Sequence, residues 1–322
     1  MNIRSIPTLF GLPEASELTE LNAGHINRTF LAVCGGEKYI LQSLNRSVFC
    51  RPESVMDNIR RIEETFAGAG GSFTAVPHFI ACGDKNYAAA DGELWRMYRY
   101  ITAAAGAAAD AAAAGRAFGA FIKTMDGRSL CSVSGIEGYH DIDGYFGRLA
   151  AKGSIDRENA AVLEKVRAEL GEVFDKDMPE RIIHGDAKTD NVITGEHTVL
   201  IDLDTVMYGY AALDYGDLIR SVSAEEFPDT ERIREATLGF AEGLDGLLTD
   251  AEVGSLYYGI LRSIAELAVR YFADSLSDEK YFRGKSSADC LVRAGQLMRQ
   301  LSSFIERENE LKKLIYRCFD RG

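Results

Sequence analysis

The sequence predicts an α+β fold in two lobes, a small strand-rich N-lobe over residues 1–101 and a mainly helical C-lobe over residues 102–322. Three observations predict it. Short β-rich runs surround one amphipathic segment in the first hundred residues, and an alanine run follows. Beyond that run, long segments with apolar residues near 3.6 spacing are broken by strand-like sequence at one place only.

Taken in order, "RTFLAV" and "KYILQ" flank Gly35 and Gly36 and predict a hairpin. Residues 53–67 place Val55, Ile59, Ile62 and Phe66 on one face, with acidic residues and arginines on the other, so one amphipathic helix follows. After a glycine-rich break, "AVPHFIACG" and "GELWRMYRYI" have the aromatic and apolar content of two more strands. The run from Ala103 to Ala117 is mostly alanine, the strongest helix former, and predicts a helix at the lobe junction rather than a flexible linker. Four later segments, beginning "NAAVLEK", "TERIREA", "SLYYGIL" and "SADCLVR", predict the helices of the C-lobe.

Composition narrows the function classes. Lys and Arg total 36 against 49 Asp and Glu, a formal net charge of -13, so no broad basic surface is available for phosphate backbones and nucleic acid is excluded as a main partner. The six cysteines include no CxxC pair, which argues against a zinc site and suits reduced thiols. The opening "MNIRSIPTLFGLPEASEL" has no apolar core of a secretion signal, and no apolar run is long enough to cross a bilayer. A cytoplasmic protein without a membrane partner is expected.

The chemistry concentrates in "RIIHGDAKTDNVITGEHTVLIDLDTV", residues 181 to 206. A short strand, a polar loop and a β-hairpin bring Asp186, Asn191 and Asp202 to one end of that hairpin, with Asp202 and Asp204 closing its second strand. Three oxygen donors on rigid elements suit a hard divalent cation such as Mg2+, which binds few protein carboxylates and completes its shell with water and phosphate. Asp190 reads as solvent-facing. Asp204 reads equally as a residue orienting the site or as a polar strand end. Asp214 and Asp217 read as a helix cap and a packing ion pair with Arg220.

These residues resemble a known family. His184, Asp186, Lys188 and Asn191 match the loop H-x-D-x-K-x-x-N, with Asp202 at the metal-binding position, as in the aminoglycoside phosphotransferase and choline kinase family with its protein-kinase-like fold. Within that group, "GHINRTFL", "YILQSLN", "IDLDTVMYG", "DYGDLIR" and "RYFADSLSDEKYF" are similar to the N-acetylhexosamine 1-kinases. The resemblance implies ATP and Mg2+, a nucleotide-binding N-lobe, and a small-molecule sugar as the acceptor. It implies that Asp186 orients the acceptor hydroxyl and takes its proton, that Lys188 touches the transferred phosphate, and that Asn191 and Asp202 hold the metal. On the nucleotide side it implies Gly24, Asn27, Gln42 and the backbone of Tyr100 and Ile101; on the sugar side, His25, Arg270 and Tyr281.

Two departures qualify it. Gly24 is the single glycine of a loop that is usually glycine-rich, and Gln42 stands where most kinase-like folds carry a lysine on the third strand, a change that the resemblance to the hexosamine 1-kinases itself implies. With that lysine gone, Asp57, Glu63 and Glu64 of the following helix read as a solvated face. A kinase for choline, homoserine or an aminoglycoside, or a non-catalytic binding module, remains the alternative. Oligomeric state and sugar epimer are not legible.

Overall fold

The structure, a computed structural model, describes every residue except 1, 22–25, 69–73, 104–109, 132–134, 175–176, 196, 224–227, 283 and 321–322. The chain is two-lobed, with strands first and helices after. In the N-lobe the strands β1 (Glu17–Leu21), β2 (Arg28–Cys34) and β3 (Glu37–Leu44) precede α1 (Pro52–Gly68), β4 (Thr74–Ala75), β5 (Ala88–Ala90) and β6 (Glu93–Arg99). An antiparallel five-stranded sheet has the order β1-β2-β3-β6-β5. The expected hairpin is β2–β3, and both of its turn glycines have positive φ. α1 buries Val55, Ile59 and Ile62 against the helical lobe, as their spacing requires.

"AVPHFIACG" gives strand only at its first residue, Ala75, the end of β4. Pro77 cannot donate to a ladder, and beyond it the segment makes isolated bridges between Phe79 and Tyr98 and between Cys82 and Lys85, with the Ile80 N–H donating to Met97. The alanine run is helical from Ala111, where α2 (Ala111–Met125) starts with Asp110 accepting the N–H of Ala112; Ala103, where the helix was expected to begin, is not helical, and residues 104–109 lie outside the described residues.

The C-lobe continues with α3 (Ile142–Lys152), α4 (Arg157–Val173), β7 (Arg181–Ile183), β8 (Val192–Thr194), β9 (Thr198–Leu200) and β10 (Met207–Gly209). Then come α5 (Ala211–Val222), α6 (Thr230–Leu244), α7 (Asp250–Ser275), α8 (Ser287–Glu306) and α9 (Glu308–Phe319). The final periodic segment is therefore two helices, parted at Arg307. α2 and α6 cross at glycines: a Cβ on Gly115 would lie 2.0 Å from the carbonyl oxygen of Ala236, so the backbones meet where a side chain has no room. β4 pairs in parallel with β9, so an N-lobe strand joins the hairpin β8–β9 in one sheet, while β7 pairs with β10 in a second, two-stranded sheet. No described helix is long and apolar enough to cross a membrane.

Candidate active site

The loop between β7 and β8 is held from beneath. The α5 carboxylate of Asp214 is fully buried and accepts the backbone N–H groups of His184, at 2.7 Å, and Gly185, at 2.8 Å. Asp214 is thus a loop anchor and not the helix cap that its position suggests; the capping position belongs to Tyr210. Asp217 does pair with Arg220, as expected, and also with Ser263. Gly185 has φ +79°, and a Cβ there would stand 2.4 Å from the carbonyl oxygen of Thr205, so only glycine fits.

His184 is a structural residue. Its ring lies edge-on to Phe118 and Phe121, and Nε2 donates to the carbonyl of Ile201 at 3.0 Å. Burial lowers its pKa, so it stays neutral.

Above this platform Asp186 accepts from Lys188 Nζ at 2.6 Å and from Asn191 Nδ2 at 3.0 Å. Burial pushes the Asp186 carboxyl up, but the charge and hydrogen bond of Lys188 outweigh it, and the net shift is downward. For Lys188 burial works against the charged form, and the Asp186 carboxylate reverses that as well. Both groups are ionised at neutral pH. Asn191 is buried, and its Nδ2 also donates to the Asp186 carbonyl at 2.8 Å, which leaves its amide oxygen as the outward acceptor. Asp190 faces solvent, as its sequence reading has it.

Asp202 differs from expectation in conformation. β9 ends at Leu200, and Asp202 sits beyond it in the left-handed region, φ 62°, as the residue before a single 3-10 turn over Leu203–Thr205. No described residue hydrogen-bonds its side chain. The residue is exposed, yet desolvation of its carboxyl by the neighbouring protein, with the charges of Asp204 and Asp186 adding to it, pushes its pKa up to about 7. No cluster of three ligating acidic, His or Cys side chains stands among the described residues; the Asp202 carboxylate with the Asn191 amide oxygen is the pair that suits a divalent cation such as Mg2+, which takes few protein ligands and completes its shell with water and phosphate.

Asp204 is neither a strand end nor solvated. It is buried, takes a bidentate pair from Arg96 on β6, and accepts from Asn27 Nδ2 at 2.6 Å. Gln42 belongs to the same group, accepting from Arg96 Nε at 2.9 Å and donating to Thr29 at 3.1 Å. The side chains of Asn27 and Gln42 therefore have protein partners where nucleotide contacts were expected. The N–H of Tyr100 is likewise taken, by the carbonyl of Lys38, and β6 stops one residue before it. Ile101 follows, half-buried. Gly24 and His25 lie outside the described residues. Glu63 is not on a solvated face: its side chain is 12% exposed and accepts the N–H of Phe79 at 2.7 Å.

Arg270 and Tyr281, expected on the acceptor side, come together, the guanidinium lying 4.6 Å from the ring centre. Tyr145 at 5.1 Å, Phe282 at 5.5 Å and Tyr139 at 6.0 Å complete an aromatic surround. Tyr271 stacks on Phe282 at 3.9 Å, and Asp274 accepts the Phe282 N–H, so the segment after α7 is docked in place. Sequence reasoning missed His140, whose Nδ1 meets Glu266 at 3.1 Å and whose Nε2 meets the Gly185 carbonyl at 2.8 Å. It also missed Arg96. Of the four described non-glycine residues with positive φ, two, His140 and Asp202, stand at this site.

This fold and loop define a phosphotransferase. The chain belongs to the phosphotransferase enzyme family whose model matches residues 17–247. Among solved structures it is similar to a microcompartment-associated aminopropanol kinase (14% identity, 95% of this chain and 97% of that one, TM-score 0.69). It is also similar to an amicoumacin kinase in complex with AMP-PNP, Ca2+ and Ami (16%, 95% and 94%, TM-score 0.66). A choline/ethanolamine kinase family protein from Mesorhizobium loti matches over 98% of this chain and 96% of its own, at 17% identity and TM-score 0.65. At such identities the likeness is one of fold.

Proposed function

We propose that this chain is an ATP-dependent kinase that phosphorylates the anomeric C1 hydroxyl of an N-acetylhexosamine, N-acetylglucosamine or N-acetylgalactosamine. The observation that carries the choice of acceptor is Arg270 inside its surround of Tyr139, Tyr145, Tyr281 and Phe282. Such aromatic boxes bind quaternary and primary ammonium groups by cation–π attraction, and here the box already holds a cation of the protein itself. A choline-like or aminoglycoside acceptor would meet like charge. A neutral, hydroxyl-rich ring meets guanidinium donors and flat aromatic faces, which suit it.

The division of labour follows the lobes, with residues 1–101 binding nucleotide and 102–322 carrying the catalytic loop and the acceptor. The Asp186 carboxylate, deprotonated and held by Lys188 and Asn191, accepts the acceptor hydroxyl proton as that oxygen bonds to the γ-phosphorus and the bond to ADP breaks. Lys188, 2.6 Å from Asp186, is placed to offset charge on the moving phosphoryl group. Mg2+, held by Asp202 and the Asn191 amide oxygen, would supply charge neutralisation at the β and γ phosphates.

The amino-alcohol substrates named for two structural neighbours favour a second reading, a kinase for another small alcohol. One panel separates them: purified protein with Mg-ATP and N-acetylglucosamine, N-acetylgalactosamine, choline, homoserine, aminopropanol or an aminoglycoside, followed by ADP release and phosphorus NMR of the product. A sugar 1-phosphate is expected. Turnover of an amino alcohol but neither sugar would overturn the acceptor, and no turnover with any acceptor would favour a binding module.

A further inference from the structure

Gln42 and Arg96 are direct partners across the β3–β6 ladder, so their side chains share one face of the sheet. Kinase-like folds carry a lysine at the position of Gln42. Here the charge stands one strand over. The Arg96 guanidinium is almost fully buried, 1% exposed, against Phe79 and Met56; Nε donates to Gln42, and Nη1 and Nη2 both donate to Asp204.

Asp204 lies inside the 3-10 turn that follows Asp202, and its Oδ2 is taken a second time by Asn27, whose Oδ1 in turn accepts the N–H of Asn45. Side chains from β6 and from just before β2 thus converge on one carboxylate, with Gln42 of β3 holding Arg96 from behind, two residues from Asp202, which has no hydrogen-bonding partner among the described residues. A buried ion pair contributes little net stability compared with well-packed apolar residues, because desolvation offsets its attraction. Its geometric effect is specific: it fixes the 3-10 turn that begins beyond Asp202, and with it the direction of the Asp202 carboxylate, whose left-handed backbone, φ 62°, is one that aspartate tolerates better than most residues.

We propose that Arg96 is a positioning residue that acts through Asp204, setting the Asp202 carboxylate for the metal–nucleotide complex. Asp204, with both oxygens committed to the protein, is not itself a metal ligand. This rests on the nucleotide and metal reading above, but not on the identity of the acceptor.

The test measures binding of a fluorescent ATP analogue to the intact chain as Mg2+ is titrated, for wild type, Arg96→Lys, Arg96→Met and the double variant Arg96→Met with Asp204→Asn. Arg96→Met leaves the buried Asp204 carboxylate without its countercharge, with only Asn27 donating to it, and is expected to melt lower; the double variant relieves that and recovers the fold. The double variant is still expected to need about tenfold more Mg2+ for half-maximal nucleotide binding, by the free-energy scale of one lost charge-assisted contact. Arg96→Lys, which keeps the charge but cannot bridge both oxygens, should fall between. A folded double variant with wild-type Mg2+ dependence would show that Arg96 is only structural. Wild-type protein that binds no nucleotide at any Mg2+ concentration would overturn this proposal together with the kinase reading, whatever the acceptor panel gives.

Discussion

His140 Nε2 lies 2.8 Å from the carbonyl oxygen of Gly185, the residue immediately before Asp186. Its other nitrogen lies 3.1 Å from the Glu266 carboxylate, and both partners accept, so both ring nitrogens carry protons and the ring is an imidazolium. Arg262 fixes the backbone of the same residue by donating to the His140 carbonyl at 2.7 Å. Glu266 also faces Arg270, with the nearest nitrogen 3.9 Å away. A chain of charged contacts therefore runs from the aromatic surround of Arg270 to the peptide that orients Asp186.

This pair makes stability depend on pH in a stated direction. Burial pulls the His140 pKa down, but Glu266, then Asp217 and the Gly185 carbonyl, raise it to about 9, against an unfolded value near 6.5. A raised folded pKa contributes stability that is fully present below about 6.5 and is lost as pH climbs through about 9. The contribution is on the order of 3 kcal/mol from the usual conversion of pKa shift to free energy. Melting temperatures should fall between pH 6.5 and 9.5 in wild type and much less in His140→Asn, which tolerates the same left-handed backbone, φ 58°. Parallel pH profiles for the two proteins would refute the ion pair.

Asp186→Asn keeps size and loses the proton acceptor. Turnover should drop by about 10²- to 10⁴-fold, the usual worth of a general base, with nucleotide affinity and fold retained. Steady-state rates alongside a binding titration check this; near-normal turnover would remove Asp186 from its role.

Asp202→Asn should weaken Mg2+-dependent nucleotide binding more than sugar binding. In metal-free protein the same change should raise the melting temperature, because it removes one of three neighbouring carboxylates and the one without a hydrogen-bonding partner among the described residues. Asparagine also accepts the left-handed backbone. A lower melting point in the absence of metal would show that Asp202 has a structural partner instead.

How much of this was legible depended on distance along the chain. Asp186, Lys188 and Asn191 lie within six residues, and the loop chemistry alone grouped them. Asp202 was found by its spacing, but its left-handed backbone was not, because nothing in "TVLIDLD" marks the strand as ending at Leu200. Arg96 and Asp204 are 108 residues apart, and His140 and Glu266 are 126 apart, so only the fold joins them. Weak signals existed: Arg96 falls between the buried Trp95 and Met97, and Glu266 falls within the apolar face of α7. A lone charge in an apolar pattern marks a buried partner without saying which one.

The acceptor gives the sharpest prediction, since Arg270 and Tyr281 lie beyond residue 247, where the family match ends. The Arg270 side chain is 14% exposed, its cation is shielded by aromatic faces, and its nearest carboxylate, Glu266, is already committed to His140. Among the described residues no hydrogen-bond acceptor takes its other donors, which on the proposed acceptor would meet the sugar. Removing a donor from such a desolvated polar pocket leaves a sugar oxygen unpaired, at a cost of about 1–3 kcal/mol. Arg270→Ala should accordingly raise KM for N-acetylhexosamine by about tenfold or more, while KM for ATP barely moves. Tyr281→Phe, which keeps the aromatic face at 4.6 Å and removes only the hydroxyl, should have a smaller effect on the same constant. Equal loss of sugar and ATP affinity in Arg270→Ala would mean that the arginine holds the helices together rather than the sugar. An unchanged sugar KM, or phosphorylation of choline appearing once the resident cation is gone, would place the acceptor elsewhere or reveal a box built for ammonium groups.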